Sequence, residues 1–437
     1  MSELGKIKTK VVFELESLRA NKKVMYHTGL LIMSQIIVFI LGFFTKGIQT
    51  RALTPDGYGL YAFFTTITGF SVLFFSVGLF PTMEVLLASN HDKQKEKEFF
   101  GASFILTFFA GIIFSIFLFA ISFFIDNLFQ VNFGKLLRLL APLCFIFPFR
   151  LLIPALATGS NKIENSAWFD ILFQLLFSAV LSVMFFYSNL DVKETLLLNL
   201  FSCIIAVIYI IFRFRPSFSH FSERYKEIKL KNKEYGIHYY IGSIFSETTY
   251  KLDEIFITYF INTTQLGFYS LANIICSPMV LFSGALSSAL FKRFANYKKI
   301  PAKIFALNIV WIIISAIILF FFSKMIIEIL FGKEFNTVST YVMPLIVAYI
   351  LKTLYQPFSF LAAKGKGKEM RNVAIIEGIV SIVTNIIFVP LFGVMGAIYA
   401  SILARATDLV GLFYYYLKYL QETRNQDFGS ADNYEKK

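Results

Sequence analysis

Four charged residues, Glu247, Lys251, Asp253 and Glu254, fall within the stretch SETTYKLDEIFITYF, with apolar runs on both sides. A charge at bilayer depth costs roughly 2.5–3.5 kcal/mol on insertion scales, so such charges mark functional sites by default. On a helix of roughly 100° per residue, Glu247, Lys251 and Glu254 share one face, and Asp253 points away from it. The Glu-Lys-Glu stripe suits the wall of a watery cavity. It equally suits a self-neutralising stripe tolerated inside a bundle, since Glu247 and Lys251 form a favourable i, i+4 pair. Asp253, on the other side, is placed to contact a neighbouring helix.

Other charges lie inside apolar runs. Arg150 and Lys352 are followed on the next runs by Asp170 and Glu377, and Arg405 precedes Asp408 by three residues. Two readings stay open for the first four. Arg150–Asp170 and Lys352–Glu377 can be structural ion pairs, or Arg150 and Lys352 can face each other and bind an anion. Both hold together if each acid releases its base when the ligand arrives. Lys251, Lys352 and Arg405 give the second half of the chain three cations near mid-depth. Cations gathered in a cavity imply an anionic ligand, and the planar fork of Arg suits phosphate. Glu247, Glu254 and Asp408 are the candidate carriers of a coupling proton or sodium ion. Lys46, near the end of the first run, reads as a snorkelling residue. The role of Glu84 stays open, a contact between two halves of the molecule being the plainer choice.

The rest of the chain sets the stage for these residues. Of 437 residues, 57% are hydrophobic and only 16% charged, with mean hydropathy +0.66. Twelve membrane spans are expected at 28–49, 58–80, 99–125, 136–158, 164–188, 194–213, 236–261, 264–290, 303–330, 340–362, 371–391 and 394–417, from apolar runs of about 20 residues. The class is therefore an all-α integral membrane protein with no large soluble domain. Before the first span, Val11, Leu15 and Leu18 recur at helical spacing among charges and predict a helix lying on the membrane surface. The first span follows a basic tail with no small-residue cleavage site, so it reads as retained.

Enzymatic chemistry finds no support. The three cysteines lie in apolar runs, and the four histidines are scattered. Metal-ligand spacing, nucleophile elbows and phosphate loops are missing, so no catalytic residue, metal ligand or bound cofactor is assigned.

Most of the 41 Lys and Arg fall in one alternate set of connections, which include residues 1–27, 93–97, 213–233, 292–303 and 364–371 and the C-terminal tail. The other set holds Lys46, Arg51, Lys135, Arg138, Lys193 and Lys333. The positive-inside rule then puts both termini in the cytoplasm. The net charge of +13 needs no nucleic acid to explain it, because cytoplasmic cations bind anionic membrane lipid. The long basic connection at 214–235 divides six spans, 28–213, from six, 236–418, with terminal segments 1–27 and 419–437. The halves can be laid over each other. Pro142 and Arg150 correspond to Pro344 and Lys352, Asp170 to Glu377, and YGLYA at 58–62 to LGFYS at 266–270. Such a repeat predicts two six-helix lobes related by a pseudo-two-fold axis along the membrane normal, with the site between them. Pro142, Pro148, Pro154, Pro278, Pro344 and Pro357 mark expected kinks.

At this point the chain resembles a known family. RALTPDGYGLYA, LDEIFITYFINTTQLGFYSLANII, ILFGKEF, LAAKGKGKEMRN and PLFGVMGAIYASI, in this order, are similar to motifs of oligosaccharide-lipid flippases. That family exports O-antigen and capsule polysaccharide precursors. It belongs to the multidrug/oligosaccharidyl-lipid/polysaccharide flippase superfamily. The resemblance spans about 28–418 and departs in GLFPTMEVLLA, where Glu84 stands at a position that is often basic in the family. It implies translocation of undecaprenyl-pyrophosphate-linked oligosaccharide across the bacterial cytoplasmic membrane through a basic central cavity. Arg150, Lys251, Lys352 and Arg405 would bind the anionic head group. Asp170, Asp253 and Glu377 would be structural charge partners. Expected partners are the lipid-linked oligosaccharide, membrane lipids and a glycan polymerase or ligase of the same pathway, with the protein a monomer. The competing reading is a cation-coupled multidrug exporter of the same superfamily, which predicts a net acidic cavity. A membrane glycosyltransferase, polymerase or ligase would usually carry a sizeable external loop, and the connections here are short.

Overall fold

The computed structural model describes residues 33–90, 92–187, 190–294 and 297–434, with the side chains of 242–243, 245–250, 288–289, 292 and 425–434 excepted. The surface helix expected before residue 28 lies outside these. Among the described residues the chain is helical and has no strand. The main helices are α1 (Met33–Ala52), α2 (Pro55–Ser71), α3 (Leu79–Ser89), α4 (Lys93–Ile121) and α5 (Gly134–Gly159). They continue as α6 (Ile163–Tyr187), α7 (Val192–Phe214), α8 (Phe221–Lys231), α9 (Ile237–Phe260) and α10 (Thr263–Cys276). The last are α11 (Pro278–Phe294), α12 (Ala302–Leu330), α13 (Thr337–Ala363), α14 (Gly367–Phe392) and α15 (Val394–Tyr434).

Local sequence explains the starts. Thr54 caps α2, its Oγ1 accepting from Gly57 N at 3.2 Å, with Pro55 in the first turn. Asn262 caps α10 in the same way, accepting from Gln265 N at 2.9 Å. Asp191 and Glu194 form a capping box on α7. Between α2 and α3 the chain turns at Gly78 with φ +78°, and a Cβ there would collide with the backbone of Gly236. Prolines bend the spans: one 3₁₀ segment contains Pro142, another contains Pro357, and α10 and α11 meet at 48° beside Pro278.

Among the described residues, ten helices are long and apolar enough to cross a membrane, or eleven if α10 and the start of α11 form one bent span. The remaining expected span, 236–261, is helix α9. At 24 residues it is long enough. Its four central charges keep it out of the apolar set. α12 shows how such helices are oriented. Ile309, Ile313, Ile317, Phe320 and Phe321 face outward, while Asn308, Ser315 and Ser323 are buried. That inverts the soluble pattern and is expected where lipid, not water, surrounds the bundle.

α14 packs most extensively on α15, and α13 also lies on α15. In the first half, α3, α4 and α6 pack on α5, and α6 on α7. α2 and α10 cross closely at Gly59 and Gly267, where a Cβ on Gly267 would stand 3.0 Å from Gly59 Cα. Small residues at such a crossing let two backbones approach, as in membrane helix pairs generally. Beside it, Thr264 donates a hydrogen bond to Asp56, and Arg51 Nη2 donates to Ile329 O at 2.6 Å.

A side chain larger than hydrogen should therefore force α2 and α10 apart. Gly59→Leu is expected to cost about 1–3 kcal/mol by overpacking, read as a lower thermal midpoint of the detergent-solubilised protein. Gly42→Leu, where nothing lies within 4 Å of the added Cβ, should stay within about 0.5 kcal/mol.

Candidate functional site

Three neighbouring cavities share lining side chains. The first, about 530 Å³, lies among α1, α2, α5, α6, α7 and α9 and is lined by Lys46, Tyr61, Arg150, Asp170, Gln174 and Lys251 among others. The second, about 270 Å³, is lined by Lys251, Asp253, Glu254, Tyr269, Lys352 and Arg405. The third, about 470 Å³, is lined by Gln35 of α1, Ser277, Ser287, Tyr349, Lys352 and Gln356. Lys251 belongs to the first two and Lys352 to the last two. Cationic side chains thus mark each junction.

Lys251 Nζ lies 3.0 Å from Glu254 Oε2, and Thr66 Oγ1 of α2 donates to the same oxygen at 2.6 Å. That hydrogen bond ties α9 to α2. Glu247 lies on the same helix, but its side chain is outside the described set. Asp253 is 7% exposed and lies on the opposite face. Its Oδ2 accepts from Tyr269 Oη of α10 at 2.9 Å and from Ser401 Oγ of α15, and its Oδ1 accepts from Asn385 Nδ2 of α14 at 2.7 Å. Three donors from three helices satisfy a buried carboxylate that would otherwise be costly. Two faces of one helix thus carry two different arrangements.

Arg150 on α5 lies over the Phe173 ring, with its guanidinium carbon 4.7 Å from the centroid, and shares the first cavity with Asp170. Arg150 lines the first cavity, and Lys352 lines the second and third. Glu377, the expected partner of Lys352, has a second cation beside it. Arg405 Nη1 of α15 stands 3.5 Å from Glu377 Oε1. Glu377 is on α14, the helix packed most extensively on α15, which brings Arg405 beside it. Asp408, one turn beyond Arg405, is buried. Lys46 does not simply snorkel. Its ammonium lies 4.5 Å from the Tyr61 ring centroid and 5.4 Å from that of Tyr58, a cation–π arrangement inside the first cavity. Tyr61, Thr66, Tyr269, Asn385 and Ser401 were not singled out by the sequence pattern. For the two tyrosines a signal existed, since YGLYA and LGFYS place Tyr61 and Tyr269 at matching positions.

Five cations therefore line these three neighbouring cavities: Lys46, Arg150, Lys251, Lys352 and Arg405. Asp170, Asp253 and Glu254 are the acids along the same walls. Among the described residues no group of His, Cys, Asp and Glu could hold a metal ion. The arrangement suits binding of an anion with several oxygens, which different cations can hold at successive depths.

Comparison with known proteins adds family and fold. The family described as "Polysaccharide biosynthesis protein" matches residues 24–298. No curated protein matches the chain significantly. Among solved structures, a multidrug resistance MATE family transporter of the MOP superfamily, in an inward-facing conformation, superposes with TM-score 0.69 at 14% identity, covering 88% of this chain and 95% of its own. The lipid II flippase MurJ, in an inward closed conformation, gives TM-score 0.66 at 16% identity, with 89% and 88% covered. A MOP superfamily transporter from Pyrococcus furiosus, described as having a binding pocket of reverse polarity, gives 0.62 at 14% identity, with 91% and 96% covered. At these identities the likeness concerns the fold.

The Asp253 contacts make a stability prediction. Asp253→Ala leaves three donors facing a methyl group and should cost about 1–3 kcal/mol, measured as a fall in thermal midpoint. Glu254→Gln keeps an oxygen for Thr66 and should fall by less. Equal midpoints for the parent and Asp253→Ala would remove Asp253 from the structural core.

Proposed function

Because the chain belongs to the polysaccharide biosynthesis protein family and has the MOP superfamily fold, we propose that it is a flippase for a lipid-linked oligosaccharide. The substrate class is undecaprenyl-pyrophosphate-linked oligosaccharide, moved from the cytoplasmic to the outer leaflet for O-antigen, capsule or exopolysaccharide synthesis. The observation that carries this reading is the line of five cations through the three cavities. A pyrophosphate linked to sugars cannot cross hydrocarbon unaided, and a wet cationic groove replaces the water it loses. Arg150, Lys251, Lys352 and Arg405 are assigned to the head group, and Lys46 joins them. Asp170 and Glu377 hold charge partners in place, and Asp253, the third expected charge partner, ties α9 to α10, α14 and α15 through Tyr269, Asn385 and Ser401. The third cavity reaches Gln35 of α1 from Lys352. It supports a gap between α1 and α11 through which the lipid tail stays in the bilayer.

Twelve spans in two lobes, 28–213 and 236–418, fit this role, with α9 as the span whose charges face inward. The pseudo-two-fold relation draws support from the α2–α10 crossing. Gly59 meets Gly267, and Asp56 meets Thr264, each pair at matching positions of YGLYA and LGFYS or just before them. Rocking of the lobes about such an axis gives alternating access. With both termini cytoplasmic, an inside-negative potential favours outward movement of an anion by about 2.3 kcal/mol per charge per 100 mV. Glu254 and Asp408 are the described acids assigned to a coupling proton or sodium ion, with Glu247 the third. The protein works in the bacterial cytoplasmic membrane, as a monomer, and hands its product to the glycan polymerase or ligase of the pathway. It carries out no bond chemistry itself.

A multidrug exporter is the competing reading, supported by the transporter folds above. The cavity charge separates the two, since cationic drugs need acidic walls. Arg150→Gln, Lys352→Gln and Arg405→Gln should each lower glycan export at least about tenfold, the worth of one charge-assisted hydrogen bond, with protein level unchanged. Normal export by all three variants would defeat the anion-cavity reading.

A further inference from the structure

A fourth cavity, about 630 Å³, lies where α4 begins, α5 turns into α6 and α7 ends. It shares no residue with the three cavities above. Its wall gathers Lys97, Lys162, Arg213 and Arg215, with Glu164 and Asn165 between them. Arg213 is held in a fixed pose. Its Nε donates to Asn165 Oδ1 at 3.0 Å, and its guanidinium lies 5.8 Å from the Trp168 ring centroid. Lys162 is engaged by Glu96 at 2.7 Å. Lys97 and Arg215 are exposed and make no ion pair among the described residues. Arg215 has φ +52°, a left-handed conformation uncommon for a residue with a side chain, and it ends α7 by donating to Phe212 O. Glu164 contributes a buried Oε2 that has no hydrogen-bond partner among the described residues.

The cavity therefore sets several phosphate donors beside one unused acceptor. Its rim is apolar: Phe212 is 76% exposed and Trp168 47% exposed. In a membrane protein such surface lies against acyl chains, and aromatic rings beside cations mark the interfacial depth. A soluble anion gains nothing from that rim, whereas a lipid fits both parts. Basic pockets between spans are suited to anionic head groups.

The geometry points to a regulatory or structural site for an anionic phospholipid, separate from the transport path. Arg213, Lys97 and Arg215 take the phosphate, a head-group hydroxyl donates to Glu164 Oε2, and the acyl chains lie along Phe212 and Trp168. The site adjoins the connection between the two halves of the chain, because Ser217 N donates to Lys97 O at 2.8 Å. A bound lipid would fix the start of that connection.

Native mass spectrometry of the full-length protein, from micelles holding equal phosphatidylglycerol and phosphatidylcholine, tests the site. The parent should retain phosphatidylglycerol in preference. Arg213→Gln and Lys97→Gln should each cut that preference about fivefold, the worth of one surface cation. Glu164→Gln should lower it too, because an amide oxygen accepts more weakly than a carboxylate from the head-group hydroxyl. Millimolar inorganic phosphate should leave retention unchanged. Equal retention of the two lipids would overturn the proposal, as would a preference that Lys97→Gln and Glu164→Gln do not move. Displacement by inorganic phosphate would replace the lipid site with a soluble-anion site. Lys97 is exposed, so its variant carries the test even if Arg213→Gln does not fold.

Discussion

The charges of α9 cannot face hydrocarbon, and much of the bundle is arranged around that constraint. Thr66 on α2, Tyr269 on α10, Asn385 on α14 and Ser401 on α15 are polar groups buried or half-buried inside apolar helices. Each reaches an acid of α9. A charged helix in the middle of a bundle needs such partners close by, because an uncompensated charge in hydrocarbon is expensive. Close approach in turn needs small residues, and the α2–α10 crossing at Gly59 and Gly267 supplies it.

Helical period and span length are local properties, so they were legible from the sequence. The period alone separates Asp253 from Lys251 and Glu254. The partners of Asp253 were not legible, since two of them lie 132 and 148 residues away along the chain. Depth along a span was also readable, but depth does not choose between neighbours. Lys352 and Arg405 sit on two helices near α14, and only packing brings Arg405 within 3.5 Å of Glu377. Lys46 was misread for a related reason. Its position near a helix end suggests snorkelling, while the rings of Tyr58 and Tyr61, beyond the turn into α2, give its charge a place inside the protein.

In the proposed flippase, cations spread along a path serve differently from cations gathered at one point. A single deep anion site would bind a pyrophosphate tightly and release it slowly. Separate cations at successive positions each hold the ligand weakly enough to let it move on. The acids beside them, Glu254 near Lys251 and Glu377 near Arg405, offer each base an alternative partner when the ligand is elsewhere.

Lys251 is shared by the first and second cavities, and one ammonium can be neutralised only once. Two separate anions, one in each cavity, would compete for it, so occupancy of one chamber weakens the other. A single ligand with two adjacent phosphates escapes that competition, because it can engage the same ammonium while straddling the junction. In the proposed flippase the shared side chain would act as a turnstile: it would count charge groups that arrive joined as one passenger and set those that arrive separately against each other.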